Sequence, residues 1–330
     1  MSDPADEDGS QLVITESRTD PAFGCPPEQR SIEFLMRKGA ILLDKPRGPT
    51  SHQVAAWLKA IAGVEKAGHL GTLDPKTTGV LPIALGSAVK SLQVTLQEGK
   101  EYVGIMLLHH PVPENEVRAI ASEFTGEIYQ LVPVRAAVKR GLRSRGVHYN
   151  KVLEILDREV LLLVGCDSGT YIRTLIHDMG EVLGAGAHMS ELRRTKSGSV
   201  HESQCVTLQQ VKDAFEIYRT KGDESALRLV LRPMEVLFGK VPQIVIKDSS
   251  VDAVCHGAPL GVPGIVSVGR KIKKGDVCAV MTLKGEAVAL AEALMDASEI
   301  ARRSEGIAVK ISRVLMDSGT YPRSWKTHPK

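Results

Sequence analysis

The sequence predicts an α+β fold, with a larger mixed domain followed by a small, mostly β domain. Strand-like and helix-like segments mix through most of the chain without the regular βαβ alternation that marks a parallel α/β sheet. Near the C-terminus the pattern changes to short strands separated by glycine and proline turns, as in a compact β barrel. A chain of 330 residues also suits about two domains. We therefore expect an extension at residues 1–32, the mixed domain at 33–236 and the β domain at 237–330.

Hydrophobic periodicity and turn residues predict the elements of the mixed domain. A helix that begins after Thr50 or Ser51 should end at Gly63, because hydroxyl side chains cap helix N-termini and glycine ends helices. The other expected elements are strands at residues 40–43 and 101–108, an apolar stretch at 80–85, a helix at 114–124, a hairpin of 152–155 with 160–164, and an amphipathic helix at 171–183. Together they predict a mostly antiparallel sheet with helices.

Residues outside the mixed domain predict a packed extension, a linker and a small sheet. The apolar run Leu12–Ile14 needs a partner, so we expect the extension to pack against the C-terminal domain. Residues 231–242 contain two prolines and a glycine and are interpreted as a linker. Short strands are expected at residues 244–246, 262–268, 277–283, 287–291 and 307–311.

Composition narrows the class of protein. The five cysteines include no CxxC pair, so neither a disulfide framework nor a zinc site is expected. No apolar run approaches the roughly 20 residues that span a membrane, and the acidic, polar N-terminus is unlike a signal peptide. We expect a cytoplasmic protein. The net charge of +3 indicates little about nucleic acid, so clusters of charge matter more than the total.

The most informative stretch is a glycine-bearing loop around Asp74. Gly68, Gly71 and Gly79 permit backbone conformations and close approaches that other residues resist. Pro75 disfavours the helical conformation for Asp74, which can then present its carboxylate to a ligand. The alternative is that Asp74 caps a helix beginning at Pro75. Spacing alone leaves both interpretations open.

Several motifs together resemble the TruB-type pseudouridine synthases. The Asp74 loop resembles that family's nucleophile motif, and four further segments match in order: residues 43–51 (LDKPRGPTS), 100–102 (KEY), 169–175 (GTYIRTL) and 188–195 (HMSELRRT). The sequence around Asp74 favours the archaeal and eukaryotic, dyskerin-type branch, and the lack of the long lysine-rich tails of eukaryotic members favours an archaeal protein. Residues 247–276 resemble a PUA domain, which also favours that branch. A lone Asp-Pro motif would not be specific, whereas this ordered set is.

The resemblance implies a role for each matching residue. Asp74 resembles the nucleophile, Arg173 its partner, and Tyr102 the ring that stacks on the target base; no metal or cofactor is implied. Tyr171, Leu192, His69 and Lys45 are assigned to substrate binding. Three of these residues have a simpler alternative. Tyr102 could be a half-buried strand residue, Leu192 a core residue, and His69 a structural hydrogen-bonding residue. Arg173 should lie in the first turn of its helix, where a cation is unfavourable unless a carboxylate lies nearby.

Two basic clusters predict contacts with RNA. The first has no acidic residue within it and corresponds to the family's thumb loop, here shorter than in bacterial stand-alone enzymes: Arg135, Lys139, Arg140, Arg143 and Arg145. In the PUA-like segment, Lys247, His256 and Gly257 are assigned to RNA binding. The second cluster is Arg270, Lys271, Lys273 and Lys274, for which an ordinary hairpin tip is an equal alternative.

The resemblance implies a pseudouridine synthase that acts on ribosomal RNA under guide control. Its expected partners are H/ACA guide RNA and the other core proteins of that particle. The alternatives are a guide-independent tRNA pseudouridine-55 synthase and a non-catalytic RNA scaffold. A PUA-bearing methyltransferase is a further alternative, but the glycines here surround an Asp-Pro pair rather than follow a first strand.

Overall fold

The computed structural model describes residues 11–92, 99–132 and 141–323. Helices α1 to α8 are Ile32–Lys38, Ser51–Ala62, Glu114–Glu123, Ile172–Val182, Leu208–Lys221, Ser225–Val230, Asp248–Cys255 and Ala297–Ile300. Strands β1 to β17 are Gln11–Val13, Gly39–Lys45, Ala67–His69, Thr78–Leu85, Lys100–Leu108, Gly126–Leu131, Leu142–Leu156, Glu159–Cys166, Ala187–Ser197, Val200–His201, Arg232–Pro233, Gln243–Ile246, Leu260–Gly261, Ile265–Gly269, Val277–Thr282, Ala287–Ala293 and Ile307–Val314. This mixture confirms the predicted α+β class. Among the described helices, none is long and apolar enough to cross a membrane.

The described residues divide into two compact units. One contains residues 40–85, 99–132 and 141–231, and the other contains 11–39, 86–92 and 232–323. The domain boundaries at 32/33 and 236/237 stay predictions.

A mostly antiparallel sheet forms the first unit. Its strand order is β2–β4–β9–β5–β8–β7–β6, and only β4 and β9 in this order run parallel. Strand β5 pairs antiparallel with both β8 and β9, so it lies at the centre. Strand β9 was not predicted as a strand, because its sequence is rich in charged residues and lacks alternation.

Local sequence explains where the helices of this unit begin and end. Helix α2 begins with a capping box, in which the Thr50 hydroxyl accepts from Gln53 N and the Gln53 side chain accepts from Thr50 N. It ends at Gly63, whose φ of 68° is in the left-handed region that glycine adopts freely. Helix α4 buries Leu175, Ile176 and other apolar residues of one face, which confirms the predicted amphipathic helix.

The second unit is built on a seven-stranded sheet of order β1–β14–β12–β15–β16–β17–β13. Leu12 pairs with Val268, and Ile14 N donates to Val266 O at 2.8 Å, so the extension lies on this sheet. The buried Glu286 carboxylate accepts from Cys25 N at 3.0 Å and from the Tyr321 hydroxyl at 2.6 Å. This carboxylate, directly before β16, therefore bonds the extension through Cys25 and the C-terminal end of the described chain through Tyr321.

The predicted linker at residues 231–242 is ordered structure, and the boundary between the two units, at 231/232, falls within it. Residues Met234–Phe238 form a 3-10 helix that buries Met234, Leu237 and Phe238. Glu235 in this turn accepts two hydrogen bonds from the buried Arg30 guanidinium, at 2.8 and 2.9 Å. The prolines indicated a turn or linker in the sequence, but the apolar residues between them are buried in a core.

Candidate active site

Asp74 lies in a turn between β3 and β4. Thr77 N donates to Asp74 O at 3.0 Å, and no helix begins at Pro75, so the helix-cap alternative for Asp74 is wrong. The Asp74 side chain is 56% exposed, which leaves its carboxylate open to a ligand. Gly48 N donates to Pro75 O at 2.8 Å and ties this turn to the loop after β2.

Ser51 holds the residue before Asp74. Its hydroxyl is fully buried, accepts from Leu73 N at 2.8 Å and donates to Leu73 O at 3.0 Å. Ser51 was predicted from sequence as a possible helix cap and as the last residue of the motif at residues 43–51, but the observed cap is Thr50. Both backbone groups of Leu73 are therefore satisfied by one side chain, which restricts the backbone next to the carboxylate.

Lys45 supports the same turn from beneath. Its side chain is fully buried, and Nζ donates to Pro46 O and Thr77 O at 2.9 Å and to Pro75 O at 3.4 Å. Burial lowers the Lys45 pKa, and the negative charge of Asp74 partly opposes that shift. The ammonium faces backbone carbonyls, and the expected contact between Lys45 and substrate stays a prediction. We propose that Lys45 also holds the Asp74 turn.

Arg194 is a buried arginine whose role was missed from sequence. Its Nε donates to Val80 O at 2.7 Å, and Nη2 donates to Gly71 O at 2.9 Å and Leu70 O at 3.4 Å. The side chain is 1% exposed, so these bonds satisfy a charge that would otherwise be costly to bury. This role could have been predicted only by recognising β9 as a strand and Arg194 as a residue on its buried face.

Arg173 forms an ion pair with Asp74. The guanidinium donates to Asp74 Oδ2, although the two residues are 99 positions apart in sequence. Arg173 lies in the first turn of α4, near the positive end of the helix dipole, and the carboxylate provides the compensating charge. Both side chains are about half exposed, at 55% and 56%. The structure thus brings together two residues that the motifs singled out.

Tyr102 and Leu192 share the inner face of the sheet with Arg194. Tyr102 on β5 pairs across the strands with Arg194 on β9, and Gly104 pairs with Leu192. A Cβ at Gly104 would lie 2.9 Å from Leu192 Cδ1, so the glycine makes room for the leucine. Burial raises the pKa of the Tyr102 hydroxyl, and the positive charge of Arg194 opposes the rise. The phenol therefore favours its neutral form.

His69 and Tyr171 occupy different parts of the site. The His69 ring meets the His52 ring edge-on at 4.7 Å, and among the described residues its buried Nδ1 has no hydrogen-bond partner. Burial lowers the His69 pKa, with smaller contributions from His52 and Arg194, so the neutral ring is favoured. Tyr171 is the residue that precedes α4, two positions before Arg173.

The described part of the first basic cluster lies on β7. Arg145 is partly buried, donates from Nη1 to Ser144 O at 2.7 Å, and faces Gly169 of the arginine motif. Arg143 pairs across the hairpin with Gln130 on β6. Arg135, Lys139 and Arg140 lie outside the described residues.

The predicted RNA-binding residues of the second unit lie at the two ends of α7. Lys247 precedes the helix, and its Nζ donates to Pro263 O at 2.7 Å. His256 follows the helix, with Nδ1 at 2.7 Å from Asp252 O. Gly257 has a φ of 83° and open space where a side chain would be. The structure therefore does not bring Lys247 together with the other two.

Comparison with known proteins identifies the family. Residues 59–112 match the TruB family pseudouridylate synthase N-terminal domain, and residues 173–238 match the tRNA pseudouridylate synthase B C-terminal domain. A probable tRNA pseudouridine synthase B from Methanopyrus kandleri is 54% identical over 98% of this chain and 95% of that protein. The chain belongs to the TruB family of pseudouridine synthases. A protein of the same description from Pyrococcus abyssi is 51% identical, over 98% of this chain and 97% of its own.

The remaining matches of this pseudouridine synthase cover its two ends. Residues 6–55 match the DKCLD (NUC011) domain, and residues 242–315 match the PUA domain, which confirms the predicted dyskerin-like branch and PUA domain. A crystal structure described as a Cbf5–Nop10–Gar1 complex contains a chain that is 50% identical, with a TM-score of 0.93 over 97% of this chain and 98% of that one. A structure described as an H/ACA RNP bound to a substrate RNA has a TM-score of 0.92, with 47% identity over 98% of this chain and all of the other.

Proposed function

We propose that this pseudouridine synthase is the catalytic subunit of a cytoplasmic, archaeal H/ACA ribonucleoprotein that isomerises guide-selected uridines in ribosomal RNA. The observation that carries the proposal is its similarity, over nearly the whole chain, to a protein in a structure described as an H/ACA RNP bound to a substrate RNA. The match to the DKCLD domain supports the same branch. The expected partners are guide RNA and proteins like those named in the related complexes, Nop10 and Gar1.

The geometry supports a covalent role for Asp74. Its carboxylate is exposed, held by a rigid turn and paired with Arg173. We assign Asp74 as the nucleophile and Arg173 as the residue that orients it. The isomerisation breaks the glycosidic bond at N1, turns the uracil and rejoins it through C5. C5 loses one proton and N1 gains one, and the bond that Asp74 forms during the reaction is broken again, so the atoms balance without a co-reactant.

The remaining assigned residues shape the pocket and bind RNA. The target base has to leave its stack to reach Asp74, and Tyr102, Tyr171, Leu192 and His69 are the residues that we assign to receive it. The proposed RNA contacts are those of the first basic cluster and the PUA domain: Arg135, Lys139, Arg140, Arg143, Arg145, Lys247, His256 and Gly257.

A second candidate function is guide-independent formation of pseudouridine-55 in tRNA. It is supported by the description of the relatives at 54% and 51% identity as probable tRNA pseudouridine synthases B. The exposed Asp74–Arg173 pair fits both functions and speaks against a purely structural scaffold. The two functions differ only in what selects the uridine, which is the guide RNA in the first and the protein itself in the second.

Release of tritium from C5-labelled uridine tests both functions. The purified chain is assayed with labelled tRNA alone, and then with guide RNA, partner proteins and a labelled ribosomal RNA target. Asp74→Asn is the matched control in both mixtures, because it removes the negative charge and changes few other contacts. We expect release by the wild-type chain in the guided mixture and none by Asp74→Asn.

The two arms give distinct outcomes. Release from tRNA by the chain alone establishes the guide-independent function. Release only in the complete guided mixture establishes the guided function. Silence of the wild type in the complete mixture contradicts the guided proposal, and release by Asp74→Asn contradicts the assignment of the nucleophile.

A further inference from the structure

Gln130 is a buried amide that holds the residue preceding helix α4. Its side chain is 2% exposed; Oε1 accepts from Tyr171 N at 2.9 Å, and Nε2 donates to Tyr171 O at 3.1 Å. Tyr171 has extended backbone angles, φ −97° and ψ 100°, and no side-chain cap of its own. One amide thus bonds both backbone groups of this residue, as a neighbouring strand would.

Two further contacts join the β6–β7 hairpin to the same segment. Asp167 N donates to Gly146 O at 2.8 Å, and Gly146 N donates to Asp167 Oδ2 at 2.7 Å. The Arg145 guanidinium lies against Gly169, where a Cβ would stand 3.1 Å from Arg145 Nε. The hairpin therefore contacts residues 167, 169 and 171, which form the segment that leads into α4. Through these contacts it holds the start of the helix.

The two members of the ion pair are held by different parts of the first unit. Asp74 is held through Ser51, Lys45 and Arg194, and among the described residues none of the three hydrogen-bonds to the segment at residues 167–171. Arg173, by contrast, lies two residues after Tyr171, in the first turn of α4. A shift of Tyr171 would move Arg173 relative to an Asp74 that stays in place.

We propose that Gln130 is a positioning residue, which fixes the Tyr171 backbone and thereby directs Arg173 towards Asp74. This inference rests on the catalytic roles assigned to Asp74 and Arg173 above. Since Gln130 lies directly across the hairpin from Arg143, it also links the basic hairpin to the ion pair. Through this one amide, the position of β7, whose arginines we assign to RNA contact, is coupled to the position of Arg173 relative to Asp74.

Substitution of Gln130 tests this role in the full chain, in the complete guided mixture. Gln130→Met keeps the length of the side chain but removes both hydrogen bonds. Gln130→Glu keeps an acceptor for Tyr171 N but places a carboxylate oxygen beside Tyr171 O. The matched control is Glu127→Gln, which alters the bond between Glu127 and Ser144 on the exposed face of the same hairpin.

We expect Gln130→Met to lower kcat by about 10- to 100-fold without raising KM, because small misplacements of catalytic groups have effects of this size. Gln130→Glu should lose at least as much, and Glu127→Gln should retain wild-type activity. If Gln130 acts through Arg173, adding Gln130→Met to Arg173→Lys should cost far less than it does in the wild type. Loss of both bonds should also accelerate hydrogen exchange at the Tyr171 amide.

The outcomes separate this proposal from the proposed function. Wild-type kcat in Gln130→Met, or losses that simply multiply with Arg173→Lys, would overturn the positioning role. Unchanged exchange at the Tyr171 amide would overturn it whether or not the chain is active. A wild type that is silent in the complete mixture counts against the guided function, while the exchange measurement still decides on Gln130.

Discussion

Buried polar side chains position Asp74 although none of them was identified with that role from sequence. Ser51 bonds both backbone groups of Leu73, Lys45 bonds three carbonyls around the turn, and Arg194 bonds the carbonyls of Leu70 and Gly71. Lys45 and Arg194 appeared in motifs, but a motif shows that a residue type recurs, not which way it points. Their burial and their bonds to these carbonyls make them part of the support of the Asp74 turn.

At the residue scale, Lys45→Met should separate support from substrate contact. The change leaves three carbonyls without a buried donor, and an unmet buried hydrogen bond costs about 1–3 kcal/mol. We expect a lower urea midpoint and a loss of kcat that exceeds any rise in KM. The matched control is Lys76→Met, an exposed lysine of the same turn, which should leave the midpoint unchanged. An unchanged midpoint in Lys45→Met would contradict the supporting role.

Strand β9, which was not predicted from the sequence, contributes both Leu192 and Arg194 to the site. It pairs parallel with β4 and antiparallel with β5, so it joins the strand that follows the Asp74 turn to the strand that bears Tyr102. Gly79 pairs with Arg194, and a Cβ at Gly79 would press on the Arg194 backbone. Elements with clear periodicity, such as α2, β5 and α4, were predicted correctly, because their pattern is local.

At the element scale, Gly79→Ala compared with Gly48→Ala isolates the contact between β4 and β9. Both glycines have positive φ, 100° and 115°, so both substitutions carry backbone strain of about 1–3 kcal/mol. A Cβ at Gly48 meets nothing within 4 Å, whereas one at Gly79 meets the Arg194 backbone. We expect a clearly larger drop in Tm for Gly79→Ala. Equal drops would show that the strand contact adds nothing.

Across the whole molecule, the extension and the C-terminal sheet form one compact unit. The β1–β14 pairing, the Lys284 ammonium bonded to Asp20 O at 2.8 Å, and the Glu286 carboxylate bonded to Cys25 N hold residues 11–25 in place. Tyr321, close to the end of the described chain, bonds the same carboxylate. Its burial, with the bond to Glu286, raises the Tyr321 pKa, so the phenol stays a hydrogen-bond donor.

At this scale, Glu286→Ala should loosen the extension. The change removes the acceptor of Cys25 N, Thr282 and Tyr321 together. We expect trypsin to cleave after Arg18 faster than in the wild type, as measured by mass spectrometry. Glu292→Ala, which changes an exposed glutamate on β16, the strand that directly follows Glu286, serves as the control and should cleave at the wild-type rate. Equal cleavage in both variants would contradict the role of Glu286.

The sequence by itself determined the α+β class, the family and the identity of Asp74 and Arg173 as candidates. These conclusions depend on local periodicity and on residue types at fixed spacing, both of which are written in the order of the chain. Only the tertiary structure decided that Asp74 and Arg173, 99 positions apart, meet. It also decided that the Lys45 ammonium bonds backbone carbonyls, that β9 is a strand, and that Gln130 bonds the backbone of Tyr171. Each of these features depends on packing against residues that are distant in sequence. A buried polar group needs hydrogen-bond partners, and no local sequence pattern specifies which residues they are.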